Sequence, residues 1–525
     1  MFDLLIKNGQ VIDGSGNPIK KMDVAINGDK IAGIGYFINE KAKKEINAEN
    51  RFIVPGFIDV NTSSDHDLTL WRNRGDNLLL QGVTTLIGGK SGVSLAPLIN
   101  PNLSCLNRWS KIDININWRT LKEFFDFLKK QKLYLNFGTF IGWGVLRASL
   151  IKNEFRSLTK EELSKLLLVV KQSMKEGAFG VSFGLGYDIE QAVGISEIQS
   201  VAEIVNQYHG ILSFYLRNYS DRLISSLEEA LSVLKNVELP IEIELFRAEG
   251  KENEKLFNQA LDLIKETNNK FNKKLVTFEV IPYETDIISL YNLLPDWAIV
   301  GGRETLLQYL HNNEMKAYLI SELKKKRYLY ENLSIVMSGN NWWFNNKTLK
   351  EIANNFSLSL EETILELLKI VSEQIYAVIK VQEEANVKNG VLSEYSFITT
   401  NSGLKNLKEK QYREWYHPKT FGAFSKFIND FIIKEKQMSW EEGIRKLTGN
   451  VADYFHLKDR GYIKKDYYAD LLVLNPSKVK DNATLTNPFQ YSDGIEFVII
   501  NGKIVYERGI FEANPKGQII QKLGK

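Results

Sequence analysis

The chain has 525 residues, of which 44% are hydrophobic and 25% charged, enough at roughly 150 residues per domain for about three to four units, or one large barrel with smaller modules. Lys and Arg total 67 against 64 Asp and Glu, a net charge of +3, so no charge excess points to nucleic acid or a membrane surface. The lone cysteine, Cys105, excludes an internal disulfide and a Cys-rich zinc site.

No run approaches the roughly 18 apolar residues of a membrane helix, and the start MFDLLIKNGQVIDGSG has no signal-peptide core. A cytoplasmic location is therefore the expectation. The five histidines, His66, His209, His311, His417 and His456, are few for a chain of this size, and that scarcity limits the chemistry available.

Residues 1–55 read as short strands punctuated by Asn-Gly, Asp-Gly and Gly-Asn pairs, the signature of hairpins. Residues 56–286 alternate apolar strand-like runs (GFIDVNT, VTTLIGG, LYLNFGTFIGW, GAFGVSFG, ILSFYLR, PIEIELFR, KLVTFEV) with helical ones such as EELSKLLLVVKQSMKEG and ISEIQSVAEIVNQYHG. Repeated β-then-α units predict a parallel sheet, and seven or eight of them predict a (β/α)8 TIM barrel with its chemistry at the strand C-terminal ends. Residues 287–395 turn to long helical stretches and read as a helical insertion. YSFITTN supplies a last barrel strand within 396–458, and 459–525 return to the hairpin style in YYADLLVLNP and GIEFVIINGKIVYERG. The two β-rich ends are expected to form one small β-sandwich.

Particular motifs carry a resemblance that periodicity does not. Val54-Pro55-Gly56-Phe57-Ile58-Asp59, Gln81-Gly82-Val83-Thr84-Thr85, Gly89 to Pro97, Gly177 to Tyr187, Leu294-Pro295-Asp296-Trp297, His417-Pro418-Lys419-Thr420-Phe421-Gly422, Arg460-Gly461, Ala469-Asp470-Leu471 and Ile500-Asn501-Gly502 stand in order along the chain. In these the sequence resembles the N-acyl-D-amino-acid deacylase (D-aminoacylase) branch of the amidohydrolase superfamily. The resemblance implies a zinc-dependent barrel with a β-sandwich, hydrolysing the amide of N-acyl-D-amino acids.

The zinc ligands that the resemblance implies are replaced one after another. Its His-x-His after the first strand reads Asn61-Thr62-Ser63, its cysteine falls on Ser91, and its Gly-His falls on Gly142-Trp143. Tyr215 stands where Thr-His-x-Arg has its His, ahead of a retained Arg217, and Ser-His-His-Lys reads Glu244-Leu245-Phe246-Arg247. The catalytic Asp of Gly-Ser-Asp-Gly falls on Asn401 or its neighbour. Neutral Ser, Asn and Leu lack the charge or softness of a zinc site, so no metal and no other cofactor is expected.

Most replacements are polar, which predicts a pocket that keeps some chemistry. Lys90 is placed to stabilise an oxyanion, Tyr215 to move a proton, and Glu244 to pair with Lys90 or act as base, with Asn401 beside them. Asn61, Ser63, Ser91, Trp143 and Leu245 line the former metal positions. No His stands at the replaced ligand positions to activate Ser91 as a nucleophile. On the substrate side the resemblance implies that Tyr187, Arg247 and Tyr283 contact an amino-acid carboxylate, with Arg217 near them; Arg offers a bidentate fork. His417 is expected to order the mouth, and Glu279 to be structural.

The expected ligand is a small carboxylate, with no nucleic acid or membrane partner and oligomerisation left open. Three readings stand: a retooled metal-independent enzyme acting on an acylated amino acid or similar carboxylate, a non-catalytic relative that binds a ligand or partner, and a C–N hydrolase with a metal relocated to Asp65, His66 and Asp67.

Overall fold

Asn27-Gly28 and Asn501-Gly502 make hairpins, whereas Asn8-Gly9 lies inside the strand Phe2–Val11 at a bulge. In the computed structural model, which describes residues 1–70, 74–99, 116–152, 154, 156–298, 302–338, 341–371, 375–407, 415–513 and 516–522, Asn501 and Gly502 take φ of +47° and +73°, the pair of positive angles that a tight two-residue hairpin needs. Cys105 lies outside the described residues. Strands from both termini share one nine-stranded sheet, in which Phe52–Pro55 runs antiparallel to Leu471–Leu474 and parallel to the end of Phe2–Val11. Alternation assigns its two faces. Ile53, Leu471, Val473 and Ile499 join the sheet's own core with Ile6 and Val24, whereas Val54, Leu472, Val498 and Ile500 pack into the larger core shared with the barrel.

The eight barrel strands are Phe57–Asp59, Val83–Gly88, Asn136–Thr139 continued by Ile141–Gly142, Gly180–Gly184, Ile211–Tyr215, Ile241–Ile243, Val276–Val280 and Ser396–Ile398. They pair in parallel as a set of three and a set of six. Side chains close the seam between the last strand and the first: Thr399 and Thr400 donate their hydroxyls to the buried Asp59 at 2.6 and 2.5 Å. Burial pushes Asp59 up to about 6 against the pull of those two donors. Helices follow the expected strands, and Lys160–Lys175 starts at a capping box between Thr159 and Glu162.

The N-terminal end of the barrel is stoppered by the helix Gly449–Phe455. Its Tyr454 hydroxyl lies 2.8 and 3.0 Å from the carbonyls of Ile241 and Leu275, and Phe455 packs with Ile58, Ile87, Phe140 and Phe179 in the barrel interior. Sheet and barrel meet at Asp470. It accepts from Arg460, from Asn136 Nδ2 on the third strand at 3.0 Å and from the Asn501 amide at 2.8 Å, while Arg460 also reaches Asn501 Oδ1 at 3.0 Å and stacks on Tyr468.

The insertion holds helices as expected, Gly302–His311 and Asn313–Lys324 among them, and a sheet besides. It carries a three-stranded antiparallel sheet, Thr285–Ser289, Tyr376–Lys380 and Ser334–Met337, around its own core of Leu290, Leu319, Leu333, Ile335, Ile364 and Leu368. The long Leu-rich run from 349 is not one helix, because capping boxes at Thr348/Glu351 and Ser359/Glu362 start two, with Ser357 left-handed between them. The β-branched and aromatic run YAVIK then pairs as a strand. The helix Glu384–Leu392 belongs with the barrel, its Val387 and Val391 lying in the barrel's outer core. Among the described residues no helix is long and apolar enough to cross a membrane.

Candidate active site

The loop after Val83–Gly88 carries the chain across the barrel mouth. Gly89 and Gly92 take φ of +72° and +73°, and a Cβ there would stand 2.2 Å from the Phe140 carbonyl or 1.8 Å from Glu190 Oε1, so only glycine fits. Ser182 fixes the crossing, donating to the Gly89 carbonyl at 2.6 Å and accepting from the Gly92 amide at 3.1 Å.

Between those glycines Lys90 points down into the barrel. Its ammonium, 3% exposed, pairs with Glu242 and with Glu279 Oε1 at 3.1 Å, lies 3.2 Å from Ser213 Oγ and rests 4.4 Å above the Phe140 ring. Burial disfavours the ammonium, yet Glu242, Glu279 and Glu244 outweigh it and hold Lys90 protonated beyond its ordinary range. Burial likewise raises Glu242 and Glu279, opposed by Lys90. Among the described residues Glu242 Oε1 has no hydrogen-bond donor, and Glu279 Oε1 has the Lys90 ammonium beside it only as an ion-pair partner; a proton held on one carboxyl satisfies that pair.

Glu244 sits one strand layer nearer the mouth. Strand alternation puts Glu242 and Glu244 on the same face, and Tyr215 follows the register that pairs Phe214 with Ile243. Glu244 does not pair with Lys90 directly. Its Oε2 accepts from Ser91 Oγ at 2.6 Å, and its Oε1 takes the Ser91 amide at 3.0 Å and Ser213 Oγ at 2.7 Å. Asn61 Nδ2 donates to Glu279 Oε2 at 2.6 Å, Asn401 Nδ2 to Asn61 Oδ1 at 3.2 Å, and Lys419 Nζ stands 3.5 Å from Asn401 Oδ1. One polar chain thus runs from Lys419 to Ser91 through the barrel.

The aromatic side of the mouth is built by Tyr187 and Tyr215, stacked at 4.9 Å. Arg247 donates to the Tyr215 hydroxyl at 2.9 Å and to the Leu245 carbonyl at 2.8 Å, and pairs with Glu249. Tyr283 packs edge-on against His417, its hydroxyl buried without a hydrogen-bond partner among the described residues. His417 Nδ1 accepts the Lys419 amide at 3.0 Å, so Nε2 carries the proton and donates to Thr285 Oγ1, also at 3.0 Å. Burial drives its pKa down to about 3. His417 is a neutral tie between the mouth and the insertion.

The structure draws Lys90, Ser91, Tyr215, Glu244, Asn61, Asn401, Tyr187 and Arg247 into the mouth region, and the Leu245 backbone with them. Three expected residues lie elsewhere. Trp143 is fully buried and donates its indole N–H to Glu197 at 2.7 Å; as the first residue of Trp143–Ile151 it points outward into the helical layer. Arg217 is spent on Glu229 and the carbonyls of Gln191 and Val193. Ser63 is exposed, with no side-chain cap bond to the turn it precedes.

The relocated-metal set does not converge either. Asp65 Oδ1 accepts the Gly89 amide at 3.3 Å, Asp67 Oδ2 accepts the Leu404 amide at 2.7 Å, and among the described residues the His66 ring reaches Asp67 alone, at 3.6 Å. Two backbone turns claim the two carboxylates separately. Glu242, Ser213 and Lys419 went unassigned in the sequence reading; the alternation in Ile241-Glu242-Ile243-Glu244 was the available signal for the first.

Glu190 carries a further titration. Its Oε1 takes the Gly184 amide at 2.9 Å, Oε2 has no partner among the described residues, and burial pushes it up to about 8 against that donor and the charge of Arg147. The folded chain therefore holds a proton that the unfolded chain has lost, so stability falls as pH rises from about 4.5 to 8. Asp65, pushed up to about 7 by burial, acts in the same sense. Glu190→Gln, which keeps the acceptor for Gly184, is expected to flatten this slope in melting temperatures taken across that range; an unchanged slope assigns it to other groups.

Residues 392–506 match the amidohydrolase family model. The chain is 25% identical to the D-aminoacylase of Alcaligenes xylosoxydans xylosoxydans, covering 99% of this chain and 98% of that one, and 25% identical to the N-acyl-D-aspartate deacylase of the same organism, covering 99% and 95%. Among solved structures, D-aminoacylase superposes with a TM-score of 0.81 at 24% identity, covering 99% of this chain and all of that one. The zinc-containing N-acyl-D-glutamate deacylase of Bordetella bronchiseptica reaches 0.83 at 20% identity, with 99% of both chains covered. The fold is thus of the amidohydrolase type. Within that class the relatives it resembles over its full length are D-aminoacylase and the N-acyl-D-amino-acid deacylases.

The residues here do not fit the zinc of such relatives. An ammonium fills the space among Glu242, Glu244 and Glu279, Ser91 gives its proton to a carboxylate, and among the described residues neither imidazole nor thiolate faces the cluster. Among the described residues no group of three or more His, Cys, Asp or Glu is arranged to hold a metal ion.

Proposed function

We propose that this chain is a metal-independent enzyme of D-aminoacylase type, acting on an acylated amino acid or a similar small carboxylate. The observation that carries the reading is the charge set at the former metal position: Lys90 held between Glu242 and Glu279, with Glu244 and Ser91 above it at the mouth. Lys90 supplies fixed positive charge in place of a cation from solution. Its ammonium is enclosed, so it acts on the site through the field rather than by touching a substrate oxygen.

Arg247 and the Tyr187–Tyr215 stack supply the carboxylate subsite. Arg247 Nη1 gives one N–H to the Leu245 carbonyl, and its other N–H, which meets no acceptor among the described residues, is the one to reach a ligand oxygen. The apolar ring faces suit the side chain or acyl group. The pairing of Arg247 with Glu249 favours a second reading, a relative that binds such ligands without turnover; binding with no product would establish it.

Metal analysis of protein purified without chelator, beside hydrolysis of N-acyl-D- and N-acyl-L-amino acids with EDTA or added zinc, tests the proposal. Substoichiometric metal and turnover indifferent to EDTA are expected; stoichiometric zinc with zinc-dependent turnover overturns it. Arg247→Ala should weaken binding of an N-acyl amino acid by about 10-fold or more, the worth of a charge-assisted hydrogen bond, and leave that of its carboxamide analogue little changed. Calorimetric titration reads the difference, and equal losses for both remove Arg247 from the carboxylate subsite.

A further inference from the structure

We propose that Ser91 is a nucleophile and Glu244 its general base, so that acyl transfer passes through an ester on this chain; this rests on the substrate reading above and gives it a mechanism. The two residues are 153 positions apart, yet Ser91 Oγ lies 2.6 Å from Glu244 Oε2, the reach of direct proton transfer. Glu244 is held in place from its other side, Oε1 accepting the Ser91 amide and Ser213 Oγ. Both carboxylate oxygens therefore have donors, and the seat where Glu244 would activate a water is taken by the serine hydroxyl.

The backbone presents this serine. Ser91 has φ of +55°, a left-handed conformation that costs a non-glycine residue free energy and recurs at functional turns. It is half-buried, whereas Glu244 is fully enclosed. The substrate wall is adjacent: a Cβ on Gly184 would stand 2.4 Å from the Ser91 carbonyl and 2.7 Å from the Tyr187 ring. Tyr215, neighbour of Glu244 across the strand register, accepts from Arg247 and so keeps its own O–H to donate to a developing oxyanion.

The steps balance. Ser91 Oγ bonds to the acyl carbon of the amide as its proton passes to Glu244 Oε2. The C–N bond then breaks, the amino acid nitrogen leaves with that proton, and the acyl group remains as an ester on Ser91. Water gives a proton to Glu244 and attacks the ester, and the proton returns to Ser91 Oγ as the carboxylic acid departs.

An alkyl fluorophosphonate, with peptide mass spectrometry of the full chain, tests the assignment. One adduct on Ser91 is expected in the parent and none in Ser91→Ala. Glu244→Gln should slow labelling by about 100-fold or more, the usual worth of a general base, with its circular dichroism unchanged. No adduct on Ser91 in the parent, or labelling undiminished in a folded Glu244→Gln, overturns the proposal. If Glu244→Gln fails to fold, the parent and Ser91→Ala still decide it. A parent labelled at Ser91 that binds no N-acyl amino acid upholds the nucleophile and sinks the substrate reading, whereas binding without label sinks the nucleophile alone.

Discussion

Lys90→Met is expected to destabilise the fold by about 3–5 kcal/mol at neutral pH, the cost of leaving buried charge without its partner. Met matches the length of the lysine stem, so the loss reports the ammonium, its contact with the Phe140 ring included. Glu242 and Glu279 are fully enclosed, and without Lys90 each is ionised only at the cost of burying a bare carboxylate. They take up protons instead. A folded state that holds protons the unfolded chain releases above about pH 4.5 loses stability as pH rises, so the deficit should be smaller at about pH 5 than at about pH 8. Adding Glu242→Gln and Glu279→Gln removes the orphaned charges and should recover most of the loss. Urea unfolding of the three proteins measures this, and a deficit under about 1 kcal/mol in Lys90→Met would show that the ion set contributes little.

The second large effect is expected at the junction of sheet and barrel. Asp470→Ala deprives Arg460, Asn136 Nδ2 and the Asn501 amide of one shared acceptor. Arg460 is 5% exposed, so the guanidinium stays buried with its charge uncompensated, a loss of about 3–5 kcal/mol. Asp470→Asn keeps an acceptor for some of these donors and should lose less. Thermal melting of both variants checks the order; a milder result for alanine would mean that solvent reaches Arg460 readily.

Much of this architecture was legible from the residues. Hairpin pairs, β-then-α alternation and the ordered motifs led to the sandwich and barrel, because each is a local signal repeated many times. Arg460, Asp470 and Asn501 stood out in the sequence as motif residues, and the structure shows why they occur together: they build one hydrogen-bonded hub. The insertion is helical as read except where local signals conflict, since its last Leu-rich run looks like unbroken helix until the capping boxes and the YAVIK strand are weighed separately.

The site was legible in its membership more than in its pairings. Lys90, Ser91, Glu244 and Asn401 could be named, but no sequence rule says that Lys90 turns down toward Glu242 and Glu279 while Ser91 turns up to Glu244. Those choices follow from the positive φ of Gly89, Ser91 and Gly92 and from which strands the loop crosses. Trp143 and Arg217 were misplaced for a related reason: a position at a strand end does not tell which side of the wall a side chain takes.

The pairing of Phe52–Pro55 with Leu471–Leu474 also bears on how the molecule is made. A ribosome finishes the first of these strands roughly 400 residues before it begins the second, so the leading hairpins wait with a bare edge through most of translation. Such an edge recruits strands from neighbouring chains. Prematurely released products should therefore clump rather than accumulate as shortened soluble forms, and a chaperone that shields strand edges should raise the yield of the finished protein more than one that binds helices.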